Sequence, residues 1–416
     1  MKSSTICGID VGNSYIKTVI AEFSRETLQP RIVGVGSAPS NGLRRGMVVD
    51  MEEATDSIRA SVDQAQIMAG AKVAQAYVSI NGLHIKTQLS RGVIAVSRAD
   101  NEIAQNDIAR LIEAASTVSL PLNYEILHVI PRTFIIDGHE HVKNALGMKG
   151  VRLEVEVMLI EGLSPYVRNL AKCINTAGIE VAEFVFAPLA AAKSVLDKHQ
   201  KEYGVLLVDI GGGVSSMALY HEGELVHTAV LPVGSRHVTS DLAIAFRTSM
   251  DNAEQIKLQH GVLDTAEHIS KKDQVDLAPI LGEAEEALVP KKQIARIIDA
   301  RVNELFDVIS QELKKPTGNY LLPAGLVLSG GGANLSGLQQ FAKDRLGLSV
   351  RIGGEYAFDG LSQQMGDPAY AVAAGLVLWG AERTQHSGGG MINRIPNPFS
   401  GGIFQKSFKW LKNFLP

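Results

Sequence analysis

One short pattern occurs twice in the chain, about 200 residues apart, and it restricts the fold more than any other feature. Residues 6–20 read Ile6-Cys7-Gly8-Ile9-Asp10-Val11-Gly12-Asn13-Ser14-Tyr15-Ile16-Lys17-Thr18-Val19-Ile20: an apolar strand, an Asp, a polar turn containing glycine, and a second strand. Residues 206–219 repeat the device as Leu206-Leu207-Val208-Asp209-Ile210-Gly211-Gly212-Gly213-Val214-Ser215-Ser216-Met217-Ala218-Leu219. Glycines in such turns let backbone N–H groups come close to an anion and point at it, which side-chain bulk would prevent. Each Asp stands where its strand enters the turn. Two hairpins facing each other would clasp a polyphosphate, with Asp10 and Asp209 available to Mg2+ or its waters and with Ser14 and Lys17 as further donors. Two copies predict two related lobes. Length agrees, because 416 residues exceed what one ordinary core holds.

Composition narrows the class. The chain is 45% hydrophobic and 20% charged with a formal charge of -4, so it lacks the basic excess of a nucleic-acid binder. Cys7 and Cys173 are too few for a disulfide framework or a zinc site, and free thiols suit a reducing cytoplasm. The N-terminus has no signal-peptide order, and no window approaches the roughly 20 apolar residues that span a bilayer, so any membrane contact is expected to be peripheral.

Three more segments follow in a telling order: Phe186-Ala187-Pro188-Leu189-Ala190-Ala191-Ala192, Gly325 to Asn334 around Ser329-Gly330-Gly331-Gly332, and Asp367-Pro368-Ala369-Tyr370 through Gly375. Together with the hairpins they resemble the actin superfamily, whose fold is a two-lobed α/β architecture that binds ATP. The resemblance implies that the first and last segments are helices crossing between the lobes, and that Gly330, Gly331 and Gly332 form a turn beneath the adenosine. It assigns Gly12, Asn13, Ser14, Tyr15 and Lys17 to one phosphate hairpin, and Gly211, Gly212 and Gly213 to the other. Asn252-Ala253-Glu254-Gln255-Ile256-Lys257 is similar to a nucleoside-holding helix of bacterial actins. The likeness puts Glu254 on the ribose hydroxyls and Lys257 beside the adenine; read alone, the two are an i,i+3 ion pair on one helix face.

Within the superfamily the chain resembles the FtsA family of bacterial cell-division proteins over nearly its whole length. The resemblance is carried by Gly42-Leu43-Arg44-Arg45-Gly46-Met47-Val48-Val49-Asp50, Ser79-Ile80-Asn81-Gly82 through Gly92, His128 to Pro131 with Asp137-Gly138, and Gly147-Met148-Lys149-Gly150-Val151-Arg152-Leu153-Glu154. It implies an inserted α+β subdomain at 84–162, with a helix from Glu102 to Ala115, in place of the usual small subdomain. The remaining expected divisions are a first lobe of 1–83 and 163–204, a second-lobe core of 205–235 and 302–380, a small subdomain at 236–301, a linker at 381–402 and a terminal helix at 403–416. The family further implies self-association into filaments, contact with other division proteins, and capture of the C-terminal peptide of the tubulin-like FtsZ. Arg296, Arg301 and Asn303 are the expected residues of that capturing face. Without the resemblance, Glu283 to Glu286 with Lys291, Lys292, Arg296 and Arg301 is a solvated helical surface.

Two departures stand out. Related filament actins carry a Glu before the Pro of the first crossover helix, where it orients the attacking water. Here the position is Ala187, and Glu183 stands four residues earlier in what reads as a strand. Slow hydrolysis at best is expected, no catalytic residue is assigned, and the nucleotide would act mainly as a ligand that biases conformation. Ala145 replaces a family Pro in a loop of the insertion.

The C-terminus carries a separate message. Ser387-Gly388-Gly389-Gly390 with Pro396, Pro398, Gly401 and Gly402 read as a tether whose r.m.s. reach is roughly 25 Å. Beyond it, Phe404, Phe408, Trp410, Leu411, Phe414 and Leu415 share one helical arc while Lys406, Lys409 and Lys412 take the other. An interfacial helix on anionic phospholipid is expected, each lysine adding about 1 kcal/mol near the surface.

Other classes compete. A pilus-assembly adaptor of the PilM type is a related alternative that would bind a pilus-protein peptide. A sugar or acetate kinase of the same superfamily would need an acid or base on a substrate hydroxyl, and a chaperone ATPase a long peptide-binding domain. His139-x-His141 has metal-site spacing but no partners in pattern, and reads as an exposed strand or loop.

Overall fold

The computed structural model describes residues 4–386 apart from 24–29, 118–120, 264–269, 271–272, 283–284, 317–319, 355–357 and 361–364. The chain begins with β1 (Ser4–Val11), β2 (Tyr15–Phe23), β3 (Pro30–Pro39) and a small hairpin of β4 (Leu43–Arg44) and β5 (Met47–Val48). Next come α1 (Met51–Ala69) and β6 (Gln75–Ile80). Helix α1 starts where it does because the Asp50 side chain accepts from the free N–H groups of Glu52 and Glu53, and stops where Gly70 turns left-handed.

The chain then leaves the lobe through β7 (Ile85–Ala95), α2 (Gln105–Ser116), β8 (Tyr124–Ile136), β9 (His139–Val142) and β10 (Arg152–Leu163). These strands form their own sheet in the order β7-β10-β8-β9, with α2 packed on it. Ile108, Leu111 and Ile112 of α2 meet Phe134, Leu153, Val155, Val157 and Leu159 in a core separate from the main one. Helix α2 begins three residues later than expected, at Gln105. Residues 101–103 are instead tied to the 147–150 loop by Ile103 N donating to Met148 O and Gly150 N donating to Asn101 O. Ala145 is fully buried in that subdomain's core.

After α3 (Ser164–Thr176) and β11 (Glu180–Phe186), the lobe closes as a sheet of order β11-β6-β1-β2-β3. Helix α4 (Ala187–Val195) and α5 (Lys198–Tyr203) lead to β12 (Val205–Ile210), β13 (Ser215–His221) and β14 (Glu224–Leu231). A helical excursion follows: α6 (Ser235–Phe246), α7 (Met250–His260), β15 (Gln274–Asp276), α8 (Ala278–Leu281), β16 (Leu288–Pro290) and α9 (Lys291–Glu312). The chain returns through β17 (Leu326–Ser329), α10 (Leu338–Leu346) and β18 (Val350–Ile352), crosses to the first lobe at β19 (Asp359–Gly360) beside β3, and ends in α11 (Ala371–His386).

The second sheet has the order β18-β17-β12-β13-β14, the same topology as the first. In each, a central strand lies parallel to one neighbour and antiparallel to the hairpin partner: β1 to β6 and β2, β12 to β17 and β13. Between the lobes, α4 and α11 pack backbone to backbone. A Cβ on Gly375 would lie 1.7 Å from Ala190 O, so only glycine permits that approach.

Two expected boundaries are corrected. The linker read from residue 381 does not start there: α11 continues to His386, with Ala381 buried, Arg383 paired with Glu183 at 2.9 Å and Glu382 paired with Lys193. The boundary read at residue 301 falls inside α9, one helix whose buried face runs from Ile294 to Ile309 and belongs to the second lobe's core. The expected tether from 387 and the helix of 403–416 lie outside the described residues.

Candidate functional site

The two hairpin turns meet at the cleft between the lobes and are built alike. In each, the glycine two residues after the Asp makes the turn: a Cβ on Gly12 would lie 2.7 Å from Tyr15 O, and one on Gly211 would lie 2.7 Å from Val214 O. Their tips interlock. A Cβ on Gly212 would lie 2.1 Å from Ser14 Oγ, and one on Gly213 would lie 2.8 Å from Asn13 Cγ, so the side chains of one turn occupy the room the other leaves bare. Arg236, at the start of α6, donates to Asn13 O at 3.2 Å and fastens the two turns from the second lobe's side.

Asp10 and Asp209 end their strands at this seam, and each is held by a serine. Ser79 Oγ donates to Asp10 Oδ1 at 2.8 Å while accepting from Val11 N at 2.8 Å, and Ser329 Oγ donates to Asp209 Oδ1 at 3.0 Å. Both serines are fully buried and stand on the strand parallel to the aspartate's own. Burial pushes the Asp10 carboxyl up, against the pull of Lys17 and Ser79. Burial, and then the charge of Asp10, push Asp209 up to about 6, while Ser329 and Lys17 act the other way. Lys17 is paired with Asp10 across β1 and β2, and its Nζ lies 5.6 Å from the centre of the Tyr370 ring. Two desolvated carboxylates, one of which raises the other, are relieved by a shared cation. No group of three or more metal-binding side chains occurs among the described residues.

Gly330 follows Ser329 directly, at φ 81°, where a Cβ would lie 2.6 Å from Ile210 O and 2.8 Å from Asp209 Oδ1. Gly332 is equally confined, by Ile210, whereas Gly331 faces outward with its nearest neighbour 3.8 Å away. Glu254 and Lys257 lie on α7 facing α6. Lys257 Nζ sits 2.7 Å from Glu254 Oε2 and 3.0 Å from Thr239 Oγ1, and Thr239 also donates to Glu254. Glu183 stands in β11 level with Tyr77 and is paired with Arg383 of α11, so its carboxylate is held in that pair rather than at the hairpins.

The proposed peptide-binding residues fare differently from one another. Arg301 is held by Asp241, through Nε at 2.7 Å and Nη2 at 2.9 Å, and by Glu304. Asn303 donates to Asp299 O within the helix at 2.9 Å, and Arg296 is exposed. The sequence reading missed Ser79, Ser329 and Arg236. The signal for the serines was a hydroxyl ending an otherwise apolar strand, in Tyr77-Val78-Ser79 and Leu326-Val327-Leu328-Ser329.

Comparison with known proteins decides the family. The family model for cell division protein FtsA matches residues 206–375, and that for the SHS2 domain inserted in FtsA matches 82–161. The cell division protein FtsA of Pseudomonas aeruginosa is 35% identical over 91% of this chain and 89% of its own length. That of Bacillus subtilis is 37% identical over 91% of this chain and 84% of its own. The chain belongs to the FtsA family of cell division proteins. Among solved structures, a PilM-PilN type IV pilus biogenesis complex matches with TM-score 0.64 at 18% identity, over 90% of this chain and 98% of that one. MreB5 of Spiroplasma citri bound to ADP matches with TM-score 0.55 at 13% identity, over 93% of this chain and 99% of that one. These two share the actin-like fold. The pilus-adaptor alternative therefore has a common architecture behind it, while the sequence relatives place this chain among cell division proteins. No helix among the described residues is long and apolar enough to cross a membrane.

Proposed function

We propose that this protein binds ATP with Mg2+ between its lobes, assembles into filaments on the cytoplasmic face of the membrane, and tethers the FtsZ ring there while engaging other division proteins. The observation that carries the nucleotide reading is the matched pair Asp10 with Ser79 and Asp209 with Ser329, facing each other across interlocked glycine turns. When bound, Mg2+ would neutralise charge on the triphosphate and on the two carboxylates. Gly330, Gly331 and Gly332 would lie against the adenosine, and the Glu254–Lys257–Thr239 cluster would offer ribose and base a preorganised set of polar groups. Hydrolysis would be slow, because Ala187 supplies no carboxylate and Glu183 is engaged by Arg383.

The membrane reading rests on the lysine and aromatic faces of 403–416, whose individually weak binding a filament would multiply. For the FtsZ peptide, exposed Arg296 is the best-placed charge, and Arg301 and Asn303 would shape the surface around it.

Thermal melting tests the core of this reading. ATP·Mg2+ at ~100-fold excess over Kd adds about 2.7 kcal/mol of stability to a protein that binds it only when folded. Asp209→Asn is expected to lose most of the resulting rise in Tm, and an unchanged rise would overturn the reading. Removal of residues 403–416 is expected to abolish co-sedimentation with anionic vesicles while leaving the ATP response intact.

A further inference from the structure

Residues 79–82 do three things within four positions. Ser79 holds Asp10. Asn81 reaches the other lobe, its Nδ2 donating to Ser216 Oγ at 3.3 Å, where Ser216 is fully buried and stands opposite Asp209 in the β12–β13 register. Gly82 opens the inserted subdomain, with Gly82 O accepting from Ile85 N, the first residue of β7.

The backbone here has no slack. Asn81 Oδ1 accepts from Gly82 N at 3.0 Å and fixes the turn. The tip of the β4–β5 hairpin is wedged against it: a Cβ on Gly46 would lie 2.0 Å from Asn81 O and 2.6 Å from Gly82 Cα. Gly46 N in turn donates to Asn13 Oδ1 in the first phosphate-facing turn at 3.0 Å. A Cβ on Gly82 would lie 2.9 Å from Arg45 O of the same hairpin tip and 2.7 Å from Nδ1 of His84, a buried side chain whose ring nitrogens have no partner among the described residues. A relative motion of the two lobes therefore either breaks the Asn81–Ser216 bond or is passed through a packed turn into β7. A well-packed element between two arrangements transmits displacement instead of absorbing it.

We propose that Asn81 is a positioning residue that couples the two phosphate-facing hairpins to the orientation of the inserted subdomain. The inference rests on the nucleotide reading above. Asn81 does not hold the nucleotide; it ties the second hairpin to the first residues of the insert, so that a ligand favouring one lobe arrangement also favours one insert orientation. The coupling is reciprocal: whatever binds the insert in one orientation would alter nucleotide affinity by the same factor.

Hydrogen–deuterium exchange on the full-length protein tests this, read on peptides from residues 85–95 and 152–163 with and without ATP·Mg2+, alongside thermal melting. The wild type is expected to show an ATP-dependent change in exchange in both strands. Asn81→Ala is expected to keep ATP affinity within twofold of wild type and to lose most of that change. Ser216→Ala removes the same bond from the other lobe and serves if Asn81→Ala does not fold; its effect should match, and the double variant should be no worse than either. Retention of the wild-type exchange response in the single variants overturns the proposal, as does a wild type that binds ATP by melting with no response in the insert. Absence of any ATP-dependent rise in Tm would instead overturn the nucleotide reading, and this proposal with it.

Discussion

The two lobes share one topology and differ in what grows out of it. The first lobe's β6 ends in Ser79-Ile80-Asn81-Gly82 and releases the chain into a subdomain with its own core, whereas the second lobe's β17 ends in Ser329-Gly330 and turns at once. The seams differ too. Where the insert meets the first lobe and α11, buried neutral histidines do the joining: His84 is enclosed beside Tyr166, and His128 Nε2 accepts from Phe186 N at 3.0 Å with its ring edge-on to Trp379. The second lobe's excursion is tied internally by ion pairs, Arg301 with Asp241 and Lys257 with Glu254. Matched Asp–Ser strand ends imply a shared constraint, and unlike seams imply that acid and salt act on different halves of the molecule.

The turn after Ser329 provides the largest test of that contrast. Gly330 has positive φ and two oxygens within 2.8 Å of where a Cβ would sit, so Gly330→Ala is expected to cost about 3 kcal/mol through strain and steric displacement. Its neighbour Gly331 faces open space, and Gly331→Ala should change stability by less than about 0.5 kcal/mol. Chemical denaturation of both variants checks the pair. Equal costs would show that the turn relaxes, and that the difference between the lobes at this point is not fixed by the backbone.

Acid should act on the histidine seam. Burial, and then the nearby Arg383 cation, hold His128 down to about 3, and burial holds His84 down to about 4. A histidine depressed in the folded state binds its proton more readily when unfolded, so its contribution is fully present above the unfolded value of ~6.5 and is lost as pH falls below it. For His128 alone the loss between pH 7.5 and pH 5 is about 2 kcal/mol. Protonation would also cost His128 the acceptor that Phe186 N uses, at the first residue before α4. His128→Gln should flatten the pH dependence of denaturation midpoints between pH 7.5 and 5, and an unaltered slope would place the titration elsewhere.

How much of this was legible follows from the range of the interactions concerned. The paired hairpins were visible because Asp, glycine and flanking strands lie within 15 residues of one another, and the small residues of α4 and α11 were visible because close packing demands them in runs. Ser79 and Ser329 were not, since a hydroxyl at the end of an apolar strand has no meaning until the parallel strand beside it is known. The end of α11 was misjudged for the same reason. Arg383 and Glu183 are 200 residues apart, and nothing local to Gly380 announces that the helix continues. Nor could Arg301 be told from Arg296 as a free charge, because Asp241 lies on a different helix.

The smallest effect separates those two arginines and sharpens the contrast between the seams. Arg301 and Asp241 form a two-bond, three-quarters-buried pair between α9 and α6, so Arg301→Ala should lower stability by about 1 kcal/mol, and by less in 1 M salt. Arg296 is exposed, so Arg296→Ala should leave stability within about 0.5 kcal/mol of wild type while weakening the proposed capture of the C-terminal FtsZ peptide severalfold. Fluorescence anisotropy with that peptide, run beside denaturation, gives both numbers on each variant. If Arg301→Ala weakened the peptide more than Arg296→Ala at equal stability, the Asp241 pair would be a resting contact that the peptide displaces. The seam of the second lobe would then be part of the binding surface and not only its support.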